Sequence, residues 1–179
     1  GWAEYCLARA GTAVPIPDSL PFEQACIIPD AVSTPWSALT TTGQLRPGQA
    51  VGVWGLGGLG THAVQLARLI GAAPIVAVDP VAGARERALA LGADLALHPA
   101  DDVRAAVREV TDGRGVDLAL DVAGVPAVRE QALRVLADGG RLVLVGIAGG
   151  PVTIPQDAVF TYRRQSITGA YGSTPEHVL

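Results

Sequence analysis

The chain predicts an α/β fold, a doubly wound and mostly parallel sheet of about six strands with helices on both faces. Three observations carry this. From about residue 50 onward, short apolar runs alternate with stretches of helical periodicity. The apolar runs are continuous rather than alternating, as expected of strands covered on both faces. The first strand-to-helix junction is a glycine-rich turn, GLGGLG at residues 55–60.

Taken in order, AVGVWG (50–55) follows the turn signal Pro47-Gly48 and reads as the first strand. A helix is expected from about 58 to 70, with Ala63, Ala67 and Ile70 on one face and Gly71 as its C-cap. PIVAVD (74–79) is the second strand, and GARERALAL (83–91) returns to a helical pattern that ends at Gly92. ADLALH (93–98) is a short strand. DDVRAAVREVT (101–111) is a helix with acids at its start, where the helix dipole favours them. VDLALDVAG (116–124) is a strand, and PAVREQALRVLA (126–137) is a helix with proline in its first turn. GRLVLVGIAG (140–149) is the longest apolar strand and SITGAY (166–171) the last.

The opening differs. The first thirty residues hold four prolines and no helix–strand alternation, although GWAEYCLARA itself resembles a strand. Methionine is absent even at position 1, so these residues read as the end of a neighbouring module in a longer polypeptide.

Composition excludes several functions. Hydrophobic residues make up 49% of the chain, enough for a sizeable core, and that core must be aliphatic because aromatics reach only 4%. The net charge of −4 and the lack of a basic run argue against nucleic acid as a partner. No apolar run is long enough to span a bilayer and no signal stretch opens the chain, so a soluble, cytoplasmic protein is expected. Two cysteines, Cys6 and Cys26, do not make a disulfide framework. All thirteen basic residues are arginine. Without lysine there is no Schiff-base chemistry, no Walker-type phosphate loop and no Tyr-x-x-x-Lys pair of a short-chain dehydrogenase.

The glycine turn carries the most specific signal. Gly55 allows the tight turn, Gly57 lets a pyrophosphate approach the backbone, and Gly60 lets helix and strand pack closely. The helix then presents unpaired N–H groups and a partial positive charge to the phosphates. Asp79 ends the second strand nineteen residues after Gly60, close to the spacing of about 20 expected for a ribose contact. A carboxylate there accepts hydrogen bonds from a 2′-hydroxyl and repels a 2′-phosphate, which favours NAD over NADP. The plainer alternative is a tight turn with a solvated Asp at a strand end.

Several segments resemble the medium-chain dehydrogenase/reductase superfamily, and within it the zinc-dependent alcohol dehydrogenases. They are GWAEY (1–5), IIPDAVSTPWSAL (27–39), RPGQAVGVWGLGGLGTHAVQLARLIGA (46–72), VDLALDVAG (116–124) and GGRLVLVGIAGG (139–150). The resemblance implies a Rossmann cofactor domain at 33–172, preceded at 1–32 by the tail of a GroES-like catalytic domain and followed at 173–179 by the start of a return segment. It implies hydride transfer between an alcohol and NAD, with a catalytic zinc that polarises the alcohol oxygen.

It also assigns residues. Asp30 would be the third protein ligand of the zinc, four residues before Thr34, which would pack against the nicotinamide. The first two ligands would come from the catalytic domain missing here. Asp30 could instead cap the helix beginning near Ser33, and Cys26 is an alternative ligand that reads better as a buried apolar cysteine. Gly58 and Leu59 complete the glycine loop, with Leu59 on its nicotinamide side. Val122 and Gly124 would sit near the adenosine end. Val145 and Ala170 would meet the carboxamide through backbone groups, with Ile147 beside the ring. Each apolar position competes with ordinary core packing. The family often has a lysine five residues after the ribose acid; here that position is Ala84, and Arg85 or Arg87 would have to substitute. His62 could touch phosphate or be a partly exposed helix residue.

The implied partners are a small-molecule alcohol or carbonyl substrate, the missing catalytic domain, and further copies joined through the last strand as a homodimer or tetramer. Two competing readings remain at this point. One is a zinc-free quinone or enoyl reductase of the same superfamily using NADPH, which usually lacks acids like Asp30 and Asp79. The other is a non-catalytic nucleotide-binding module.

Overall fold

The structure, a computed structural model, describes residues 3–178. Six strands form one all-parallel sheet: β1 Val51–Trp54, β2 Ile75–Val78, β3 Leu95–Leu97, β4 Val116–Asp121, β5 Leu136–Leu144 and β6 Ser166–Gly169. Their order is β3-β2-β1-β4-β5-β6, so the winding reverses between β1 and β4. In chain order the α-helices are α1 Phe22–Ala25, α2 Ser33–Ser37, α3 Gly58–Ile70, α4 Ala82–Ala90, α5 Val103–Val110, α6 Pro126–Arg134 and α7 Asp157–Tyr162. Wider π-helical turns at Ile28–Val32 and Ala38–Thr42 flank α2.

The strands are apolar throughout because both sheet faces are covered. Side chains alternate along each strand. Val51, Val53, Ile75, Ala77, Leu118 and Leu120 point to one face, where Ala63, Val64 and Ala67 of α3 close the core. Trp54, Val76, Val78 and Ala119 point to the other, against Val107 of α5 and Ala132 and Leu133 of α6. Burial of one such Leu or Val contributes roughly 1.5–3 kcal/mol. Gly52 is needed beside Trp54, since a Cβ there would fall into the indole ring.

The helix signals act as expected at Gly71 and Pro126, and Asp102 adds a cap that the sequence reading did not name. Gly71 terminates α3 in the left-handed conformation, φ 95°. Asp102 caps α5 by accepting the Ala105 N–H at 3.0 Å, and Pro126 opens α6.

Three expectations fail. The opening does not form a strand: Gly1 and Trp2 lie outside the described residues, and residues 3–9 pair with no strand, leaving Tyr5 and Leu7 exposed. Helix α6 stops at Arg134 rather than continuing to 137, because Leu136 pairs with Val116 and starts β5 early. The register then shifts, and the exposed Asp138-Gly139 pair bulges out before Arg141 opposes Leu118. Helix α7, DAVFTY, is a further element, too short for periodicity to show in the sequence. Cys26 is exposed rather than buried, its thiol directed to the Glu23 carbonyl at 3.4 Å.

Candidate functional site

A cleft of about 480 Å³ opens at the C-terminal ends of β1, β2, β4 and β5, across the point where the winding reverses. That is the place where open α/β sheets bind ligands, and the volume lies within the range of small-molecule sites.

The glycine turn forms one wall. Gly55 has φ +93°, and a Cβ on it would press into the Ala123 backbone. Gly60 lies directly against the Gly55 carbonyl, with no room for any side chain. Gly57 and Gly58 are the reverse case: both are exposed, and a Cβ on either would meet only open space. The turn therefore uses two glycines to pack and two to keep the helix end clear. Among the described residues no side chain caps α3, so its first N–H groups are free to meet an anion.

Asp79 braces this turn. Its Oδ2 accepts the Leu56 N–H at 2.7 Å and its Oδ1 accepts the Val81 N–H at 2.8 Å. The Leu56 carbonyl takes the Thr61 hydroxyl at 3.0 Å and Arg87 Nη2 at 3.1 Å. Arg85 Nη1 donates to the carbonyls of Asp79 and Pro80 at 2.8 and 2.9 Å. Both arginines thus stand beside the carboxylate end of β2, held by main-chain oxygens.

The cleft brings together Gly55, Gly57, Gly58, Leu59, Asp79, Val122 and Val145. Gly60 sits beneath it. Gly124 is buried behind it, φ +76°, with its N–H on Asp121 Oδ1 at 2.7 Å. Ile147 is 79% exposed outside the cleft, and Ala170 is half-buried against the sheet core. Thr34 and Asp30 lie elsewhere, on the helical layer of residues 28–42. His62 points back along the first turn of α3, its Nδ1 2.8 Å from the Gly58 carbonyl.

Thr34 is buried, and its hydroxyl donates to Asp30 Oδ1 at 3.1 Å. Asp30 is exposed, and among the described residues its Oδ2 has no hydrogen-bond partner and no side chain caps α2, so the capping role is not seen. Among the described residues no group of three or more His, Cys, Asp or Glu side chains could hold a metal. Asp30 could therefore supply a zinc with one donor only.

The most buried charges in the chain escaped the sequence reading. Asp121, fully buried at the end of β4, pairs with Arg129 of α6, Nε to Oδ2 at 2.8 Å. An acid ending the apolar run Leu118–Leu120 was the available signal. Trp54, Pro99, Ala123, Val128 and Gly146 also line the cleft. Among the described residues no helix is long and apolar enough to cross a membrane.

Comparison with known proteins agrees with this geometry. The family model described as zinc-binding dehydrogenase matches residues 58–178. The NDMA-dependent alcohol dehydrogenase of Amycolatopsis methanolica is 42% identical over 139 residues, covering 76% of this chain and 38% of the relative. The alcohol dehydrogenase of Cupriavidus necator is 39% identical over 159 residues, covering 87% of this chain and 43% of the relative. In three dimensions, an alcohol dehydrogenase zinc-binding domain protein from Burkholderia ambifaria superposes with a TM-score of 0.88 at 32% identity, covering 95% of this chain and 46% of that one. The chain spans less than half the length of these relatives. With the reversed parallel sheet, the glycine turn and the match over residues 58–178, the chain belongs to the zinc-binding dehydrogenase family.

Proposed function

We propose that this chain is the cofactor-binding part of an NAD-dependent, zinc-type alcohol dehydrogenase. One observation carries the reading: an uncapped helix end cleared by Gly57 and Gly58 stands beside the Asp79 carboxylate in a cleft at the winding reversal. The bare N–H groups of α3 bind the pyrophosphate. Asp79 holds the turn through two backbone N–H groups and directs its remaining lone pairs at the adenosine ribose, where a 2′-phosphate would meet its charge. Leu59, Val122 and Val145 cover the cofactor with apolar surface and exclude water. A bound nicotinamide would supply the hydride acceptor or donor, and a bound zinc would supply polarisation of the alcohol oxygen. Asp30 contributes one ligand to that zinc through its free Oδ2, and the buried Thr34 hydroxyl fixes the carboxylate by holding Oδ1.

The same reading assigns backbone groups of Val145 and Ala170 to the carboxamide, Ile147 to the ring and Gly124 to the support of the cleft wall. It places the enzyme in the cytoplasm, with a small alcohol or carbonyl as substrate and a catalytic domain supplying the other zinc ligands. Copies associate through β6, which ends the sheet and leaves one side unpaired among the described residues. The acid at 79 favours this reading over an NADPH-dependent, zinc-free reductase. The test is the appearance of NADH when the intact enzyme meets NAD and a panel of primary, secondary and polyhydric alcohols. Turnover of quinones or enoyl compounds with NADPH, and none with alcohols, would overturn it.

A further inference from the structure

Asp121 is fully buried at the end of β4, beside the winding reversal. Arg129, 5% exposed, uses its whole guanidinium there. Nε donates to Asp121 Oδ2 at 2.8 Å, Nη1 to the Gly150 carbonyl at 2.9 Å and Nη2 to the Gly146 carbonyl at 3.2 Å. The main chain runs parallel to this link, since the Val145 and Gly146 N–H groups both donate to the Asp121 carbonyl at 2.9 Å.

A buried ion pair contributes little net stability compared with a well-packed apolar pair. An apolar pair could join α6 to β4 equally well. It could not hold the two glycine carbonyls. Between residues 147 and 155 the hydrogen bond from Arg129 to Gly150 is the one such tie among the described residues. This segment leaves β5 at the rim of the cleft, where Val145 and Gly146 form part of the lining.

We propose that Arg129 is a positioning residue for the nicotinamide half of the dinucleotide, acting through the loop of residues 146–150. The inference rests on the dinucleotide reading of the cleft. In a doubly wound sheet each half binds one mononucleotide. The glycine turn and Asp79 belong to the half built on β1 to β3, which takes AMP. The Arg129-held loop belongs to the half built on β4 to β6, which takes the nicotinamide nucleotide.

Titration of the full chain with AMP and with NADH, for wild type and Arg129→Lys, separates the two halves. Lysine keeps the charge beside Asp121 but lacks the fork that reaches two carbonyls. The expected result is AMP affinity unchanged within about twofold and NADH affinity weakened about tenfold, the order of one lost charge-assisted hydrogen bond. Equal weakening of both ligands, or of neither, overturns the proposal. Failure of the wild-type chain to bind either ligand overturns the dinucleotide reading itself. Hydrogen exchange on the unmutated chain is independent of how the variant folds. NADH should slow exchange of the amides at 147–150 and AMP should not; equal effects of the two would contradict the role.

Discussion

Gly60, in the first turn of α3, rests on the carbonyl oxygen of Gly55, the residue that leaves β1. The contact sets the angle at which the helix leaves the sheet, and so the direction of its N–H groups. Gly60→Ala should force the turn apart, costing about 1–3 kcal/mol as overpacking does. Gly57→Ala should leave stability within about 0.5 kcal/mol, because its Cβ enters open space, yet weaken NAD by blocking the phosphates. Urea denaturation paired with NAD titration checks both.

The Asp121–Arg129 pair makes a stability prediction of its own. Arg129→Met leaves a buried carboxylate unpaired and should cost about 3–5 kcal/mol. Adding Asp121→Leu to it should recover part of that loss, because no charge then remains buried. Chemical denaturation of the single and double variants measures the difference.

Trp54 is fully buried, lines the cleft, and holds its indole N–H on Gln131 Oε1 at 2.9 Å. Indole excitation should therefore transfer to NADH on binding, giving sensitised nicotinamide emission. Trp54→Phe should remove most of that signal while the remaining tryptophans still fluoresce.

Asp30 and Thr34 lie apart from the dinucleotide cleft, joined by a 3.1 Å hydrogen bond. In the intact enzyme Asp30→Ala should lower zinc content by elemental analysis, while Asp30→Cys should retain it. Zinc unchanged in the alanine variant would remove Asp30 from the ligand set.

How much was legible follows from how local each cause is. The glycine turn could be read because tight turning at Gly55 and close packing at Gly60 each demand glycine at a set offset. The end at Gly71 was readable for the same reason, since a C-cap is satisfied within one turn. The end of α6 was not. Leu136 and Ala137 continue the helical period, but Val116 across the sheet draws Leu136 into β5. The Asp121–Arg129 pair also depends on tertiary structure, because it links a strand end to a helix face. Apart from one another, the two residues look like a strand-end acid and an ordinary helix arginine. The contact of Asp79 with the Leu56 N–H appears only once β1 and β2 lie side by side.

The most direct test of the cofactor reading is a calorimetric titration with NAD and NADP, on the wild-type chain and on Asp79→Ala. The account predicts tighter binding of NAD than of NADP, with the preference lost in the variant. It also predicts weaker binding of both by the variant, because the braces to Leu56 and Val81 go with the carboxylate. Equal affinity for the two cofactors in the wild type, or tighter binding of NADP, would contradict it.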